Sequence, residues 1–272
     1  SGVPGSYAEE AALGFFGREA DLRQAPSFEG ACRMLQQGEV QRAVLPIENS
    51  STGAISAVYD LLIRYGLYLV GEQYVRVQHC LLAKPGTRLE EIREVYSHEQ
   101  GLGQSKEFLA RHPEWRTEAL YNTAAAAKLV SESPGREKAA IASRRAGELY
   151  GLEVLAERTN FKENNYTRFV VASVQPEWPG DSDKVSLAFT LPHTSGSLYE
   201  VLGLFARRRL NLMKIESRPV PQRNWEYFFF LDFATDRVDE SLQQALDEVA
   251  GLTRSMRLLG CYRAADTEEE SQ

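Results

Sequence analysis

Apolar residues recur every three or four positions across residues 7–16, 27–37, 54–64, 100–111, 124–132 and 144–150, the spacing that gives a helix one apolar face. Between these segments lie short apolar runs at 43–47, 67–70, 95–96, 139–142 and 169–172. Runs of that length read as strands, and their alternation with helices predicts an α/β domain with mainly parallel strands. Residues 175–183, Gln-Pro-Glu-Trp-Pro-Gly-Asp-Ser-Asp, have the composition of an exposed linker. They separate a first domain over 1–174 from a second over 184–263. In the second the order is strand (184–191), helix (197–208), strand (212–220), strand (225–233), helix (239–250), strand (254–262). That βαββαβ order belongs to the ferredoxin-like class. An acidic tail closes the chain over 264–272, and from Asp266 to Gln272 it has too little to bury, so disorder is expected there.

Composition narrows the function classes. The 272 residues include 31 Lys and Arg against 38 Asp and Glu, a net charge of −7, and no basic stripe interleaves with aromatics. Nucleic-acid binding is therefore not expected. The most apolar stretch, 59–69, is interrupted by Asp60 and Arg64, so no membrane span is expected either. Cys32, Cys80 and Cys261 are odd in number and lack a CxxC pair, which fits a reducing, cytoplasmic setting rather than a disulfide framework or a thiolate zinc site. The chain opens on Ser1, and Gly2-Val3-Pro4-Gly5 reads as a turn without its preceding strand, so upstream sequence is expected.

Small hydroxyl and amide residues cluster at four expected strand-to-helix turns: Gly5-Ser6-Tyr7, Glu48 to Gly53, Ser97 to Gln100, and Asn122-Thr123-Ala124. In an open α/β sheet such turns lie at the carboxyl ends of strands, where ligands bind, and helix starts offer unpaired N–H groups to anions. Helix capping accounts for several of the same residues, since Ser6 to Glu9 and Ser97 to Gln100 are both capping boxes. The Glu48–Gly53 turn holds more polar side chains than one cap requires. Gln100 and Gln104 share a helix face. Thr167 and Arg168 open a strand, one offering a hydroxyl donor and the other a fork suited to carboxylates, although strand propensity alone also explains a threonine there. His79, His98, His112 and His193 are scattered, and neither a GxGxxG turn nor a histidine-carboxylate metal cluster is visible.

The stretches Gly2-Val3-Pro4-Gly5-Ser6-Tyr7, Leu45 to Gly53, Tyr96-Ser97-His98-Glu99-Gln100 with Gln104, and Asn165-Tyr166-Thr167-Arg168-Phe169 together resemble the prephenate dehydratase family. In the second domain, Leu210 to Pro219 and the turn Gly196-Ser197-Leu198 resemble that family's phenylalanine-binding ACT segment. The resemblance implies a two-lobed catalytic domain like a type II periplasmic binding protein, with the chain crossing between lobes near 75–79 and 159–165. It implies loss of carbon dioxide and water from prephenate without a cofactor, with arogenate as the alternative substrate. Thr167 takes the catalytic role by this likeness. Ser6, Tyr7, Glu48, Asn49, Ser50, Ser97, Gln100, Gln104, Thr123, Arg168 and Phe169 would bind the substrate, a small dicarboxylate, and His98 is a weaker candidate for the acid. Gly196, Ser197, Leu198, Asn211, Leu212, Glu216, Ser217, Arg218 and Pro219 would hold L-phenylalanine between self-associated subunits. A non-catalytic sensor of small acids is the rival reading, because a two-lobed cleft also serves transport receptors.

Overall fold

A computed structural model describes residues 3–161, 164–220, 226–236 and 238–266. Its elements run α1 (Tyr7–Phe16), α2 (Phe28–Gln36), β1 (Ala43–Asn49), β2 (Gly53–Ala54), α3 (Ser56–Arg64), β3 (Tyr68–Arg76) and β4 (His79–Ala83). Next come β5 (Glu94–His98), α4 (Glu99–Gln104), α5 (Lys106–Leu109), β6 (Arg116–Leu120), α6 (Thr123–Glu132), β7 (Lys138–Ser143), α7 (Arg144–Tyr150) and β8 (Glu153–Ala156). Then follow β9 (Tyr166–Ser173), β10 (Lys184–Thr190), α8 (Ser197–Arg207), β11 (Leu212–Pro219), β12 (Tyr227–Ala234), α9 (Glu240–Leu252) and β13 (Ser255–Tyr262). The chain divides into two units. One comprises Ser1–Met34, Val44–Gly53 and Gln73–Phe169, the other Leu35–Ala43, Ala54–Glu72 and Val170–Gln272.

The first unit is built on a sheet in the order β6-β5-β7-β4-β8. Alanines at 124, 126 and 127 of α6 let that helix lie close on Ala140 and Ala142, with Cys80, Leu82 and Val130 completing this layer. Leu81, Ala83, Val95, Ala139 and Ile141 form another core cluster with Ile92, Phe108 and Trp115. Here the expectation of mainly parallel strands needs correction. β5 runs parallel to β6 and β7, but β4 runs antiparallel to both β7 and β8. β4 enters this sheet from β3 of the other sheet through a two-residue crossing, whereas β5, β6 and β7, which run parallel, are joined in turn by helical crossovers.

The helix expected over 100–111 is two short helices, because Ser105 leaves helical geometry (φ −101°, ψ 13°) and its hydroxyl pairs with Thr159 Oγ1 at 3.1 Å in the interior. The helix expected from 54 begins at Ser56 instead, since Gly53 and Ala54 pair as a strand. β2, β1, β9 and β3, in that order, make a further sheet.

In the second unit the antiparallel order β11-β12-β10-β13 carries the ferredoxin-like pattern. Val185, Leu187, Phe189, Leu231 and Phe233 pack on Val201, Leu204 and Phe205 of α8 and Leu242, Leu246 and Val249 of α9. Segment 54–72 supplies further contacts on this sheet. The Tyr59 and Phe230 rings are 4.7 Å apart, and Arg257 donates to the carbonyls of Leu62 (3.3 Å) and Leu67 (2.8 Å). A Cβ on Gly260 would lie 2.2 Å from the Leu69 carbonyl oxygen, so only glycine fits that approach. All seven residues of β10 are consequently buried. The Lys184 ammonium meets both carboxylate oxygens of Glu72, at 2.9 and 3.0 Å, with neither side chain more than 2% exposed. Trp225, placed by sequence in the third strand of this domain, and residues 267–272 of the tail lie outside the described residues, as does Gly2.

Candidate active site

Asn49 ends β1 and is 5% exposed. Its Oδ1 accepts from the backbone N–H of Ser51 (2.9 Å) and Thr52 (3.1 Å), closing a tight turn of the kind asparagine favours. Its Nδ2 is thereby turned the other way, donating to Asn165 Oδ1 (2.8 Å), to Thr167 Oγ1 (3.0 Å) and to the Tyr166 carbonyl (3.2 Å). Ser50 binds β9 directly. Its N–H donates to the Tyr166 carbonyl at 2.8 Å, and its hydroxyl accepts from Tyr166 N and donates to the Asn164 carbonyl. No helix starts at Ser50, contrary to expectation. The turn bonds to β9 instead, and α3 begins later, after Ile55, without a side-chain cap.

From Asn165 the hydrogen bonds continue inward. Its Nδ2 donates to Gln104 Oε1 at 3.1 Å, which also faces His79 Nε2 at 3.0 Å; His79 Nδ1 in turn faces the Tyr7 hydroxyl at 3.0 Å. These residues meet where the two chain crossings run together. Val77 N–H donates to the Asn165 carbonyl at 2.6 Å, Thr159 N–H to the His79 carbonyl at 2.9 Å, and His79 N–H to Asn160 Oδ1 at 3.0 Å. Burial pushes the His79 pKa down to about 4 against a small upward pull from Gln104, so the ring is neutral near pH 7. Burial, aided by Glu10, raises the Tyr7 pKa.

Thr167 and Arg168 are both buried, at 8% and 4% exposure, because β9 is covered on both faces. Strand alternation therefore does not send Arg168 into solvent; its Nη1 lies 4.0 Å from Glu48 Oε2. Phe169 does not join the polar group. It packs with Ala11 and Val75 in the core. Ser97 is fully buried and donates to the Ile141 carbonyl at 2.6 Å, so the expected capping box fails there and His98 caps α4 through Nδ1 on Gln100 N–H. That capping duty also accounts for His98. Gln100 is exposed and reaches Thr52 Oγ1 at 2.9 Å, whereas Gln104 is buried, so the pair serves two surroundings. Asn122 caps α6 through Ala125 N–H, which makes Thr123 the first helical residue rather than the cap. Ser6 does cap α1, accepting from Glu9 N–H at 3.3 Å, and the Glu9 carboxylate accepts from Gly5 N–H.

In the second unit Gly196 takes the left-handed conformation at φ 88° and opens α8. Ser197 is held within its own turn, its hydroxyl donating to the carbonyls of Pro192 or Thr194. Leu198 is partly buried and Asn211 exposed. Along β11 burial alternates, with Leu212, Glu216 and Arg218 half-buried and Ser217 and Pro219 exposed on a sheet edge. Arg218 pairs with Asp60 at 3.0 Å.

His79 and Asn160 escaped the sequence reading because no spacing links them to Thr167; the crossing of the chain alone brings them near. The assembled group is made of neutral hydrogen-bonding side chains, and the Arg168 guanidinium, at the next position of β9, is buried and faces the Glu48 carboxylate.

A family model described as prephenate dehydratase matches residues 1–177, and one described as ACT domain matches 185–251. The chain is 39% identical over 277 residues to arogenate dehydratase/prephenate dehydratase 1 of Arabidopsis thaliana, covering 96% of this chain and 70% of that protein. It spans 65% to 71% of the plant relatives it matches. Among solved structures, the quorum-quenching acylase GqqA superimposes with a TM-score of 0.87 at 30% identity, covering 97% of this chain and 96% of that one. The prephenate dehydratase of Arthrobacter aurescens in complex with L-Phe gives 0.86 at 29% identity, covering 96% and 88%.

Proposed function

The chain belongs to the prephenate dehydratase family, and on that premise we propose that it converts prephenate to phenylpyruvate, with phenylalanine as feedback inhibitor acting through the ACT domain. The observation that carries the reading is the family's Thr-Arg-Phe stretch with Thr167 hydrogen-bonded to Asn49 inside a buried polar group. A fold shared with an acylase does not decide the chemistry; the side chains at the site do.

Prephenate loses its ring carboxylate as carbon dioxide, the freed electron pair entering the ring, while the bond to the 4-hydroxyl breaks and the departing hydroxide takes one proton from solvent to leave as water. Aromatisation supplies the driving force, so the protein has to orient the dianion and stabilise the departing oxygen. Thr167 Oγ1 accepts from Asn49 Nδ2, and no acceptor for its own hydrogen lies among the described residues. That hydrogen is available to the leaving hydroxyl. An alcohol is too weak an acid to give the proton up, so Thr167 acts as a hydrogen-bond donor. Arg168 binds a substrate carboxylate, and Ser6, Tyr7, Glu48, Asn49, Ser50, Ser97, Gln100, Gln104 and Thr123 shape and orient the pocket. The test is incubation with prephenate and, separately, arogenate. Phenylpyruvate from the first supports the reading; phenylalanine from the second alone would make the chain an arogenate dehydratase, and no product from either would refute it.

Arg168→Lys is expected to lower kcat/KM by about 10-fold or more, because an ammonium cannot reproduce the bidentate fork on a carboxylate. An unchanged kcat/KM would reassign Arg168 to the ion pair with Glu48.

Regulation rests on the second unit. Phenylalanine is held at an ACT edge between associated subunits, at Gly196 to Leu198, Asn211, Leu212 and Glu216 to Pro219, and it inhibits because it favours a less active state. Calorimetry should detect binding to the wild type at millimolar phenylalanine together with inhibition, both weakened in Ser217→Ala. Neither effect in the wild type would refute the regulatory reading.

A further inference from the structure

The buried hydrogen bonds from Asn49 to Tyr7 have one direction, and backbone groups set it. Ser51 and Thr52 each bring an N–H to Asn49 Oδ1, so the amide cannot turn over without losing both bonds. Asn49 Nδ2 must then face Asn165 Oδ1, which leaves Asn165 Nδ2 to face Gln104. Gln104 in turn must offer its oxygen, and the only other atom within reach of that oxygen among the described residues is His79 Nε2. Two acceptors at 3.0 Å would repel, so the ring carries its hydrogen on Nε2. Nδ1 is left as an acceptor for the Tyr7 hydroxyl. The alternative use of that hydroxyl, on the Gln78 carbonyl at 3.1 Å, would match only a charged ring.

We propose that His79 is a positioning residue for the dehydration: with Asn165 it holds the Gln104 amide oxygen inward, so that the amide nitrogen is presented as a donor to the substrate. This rests on the function proposed above. The Gln104 nitrogen has no partner among the described residues, whereas its oxygen has two donors, Nε2–H of His79 and Nδ2–H of Asn165. Without His79 one of the two restraints goes, and the amide is free to swing. The low pKa of His79 is consistent with a ring that stays neutral while it does this.

The experiment has two arms. Nitrogen NMR of the wild-type protein near pH 7 should show His79 as the Nε2–H tautomer. An Nδ1–H ring or an imidazolium would overturn the proposal whatever the activity. In the second arm, His79→Leu should lower kcat/KM by about 10-fold, the size expected when one hydrogen bond to a charged ligand is lost. His79→Gln, whose amide nitrogen can occupy the place of Nε2, should recover most of that loss. Equal impairment in both variants with normal unfolding midpoints would make His79 a filler of space and overturn the positioning role. If His79→Leu does not fold, the tautomer and the His79→Gln rates still decide. If the wild type converts neither prephenate nor arogenate, the function reading falls, and the tautomer result stands separately as a statement about the chain of bonds.

Discussion

Thr167→Ala is expected to lower kcat by about 100-fold or more, the usual consequence of removing one hydrogen bond made in the transition state. Folding should change little. Asn49 Nδ2 loses Thr167 Oγ1 but keeps Asn165 Oδ1 and the Tyr166 carbonyl, so no buried donor is orphaned, and the stability cost is on the order of 1 kcal/mol. Thr167→Ser keeps the hydroxyl and should recover much of the rate. Steady-state kinetics with an unfolding midpoint for each variant separate the two effects. A Thr167→Ala variant retaining more than about a tenth of wild-type kcat would remove Thr167 from the chemistry.

The second large effect concerns stability. Lys184→Met should destabilise the protein by about 3–5 kcal/mol, because it strands the Glu72 carboxylate in the interior. The double variant Glu72→Leu/Lys184→Met should regain most of the loss, since replacing a buried pair by apolar groups of similar size is often neutral. Chemical denaturation of wild type, single and double variants makes the comparison. A single variant as stable as the wild type would mean that the carboxylate finds other solvation; the Ala265 N–H, at 3.2 Å, is the neighbour to inspect. The pair ties β3 to β10, and with Tyr59 against Phe230 it explains why the second unit includes residues 54–72.

Periodicity found α1 and α7 to the residue, and the ferredoxin-like order after the linker, where α8 (Val201, Leu204, Phe205) and α9 (Leu242, Leu246, Val249) each bury one apolar stripe. It missed β2, β4, β6 and β8. β6 is an edge strand of mostly exposed residues, Arg116 to Leu120, and carries no apolar alternation to read. The helix over 100–111 was misjudged at Ser105 because the partner that stabilises the break, Thr159, lies far away in sequence. Local pattern predicts a helix cap at Ser97 and a helix start at Ser50, whereas the long-range acceptors Ile141 and Asn164 claim their hydroxyls. At the site, Asn49, Gln104 and Thr167 were legible through their motifs. His79 was not, since only the paired crossings at Val77 and Asn165 bring it beside Gln104.

The proposed function makes this chain a catalyst that uses the Thr167 hydroxyl to assist loss of water from prephenate. Its most direct test mixes purified protein with excess prephenate near pH 7 and counts carbon dioxide and phenylpyruvate together. The expected result is one of each per prephenate consumed, many turnovers per protein, and near-complete loss in Thr167→Ala with prephenate still bound. Wild-type protein that binds prephenate and returns it unchanged would rule out catalysis and leave a sensor of small acids in its place.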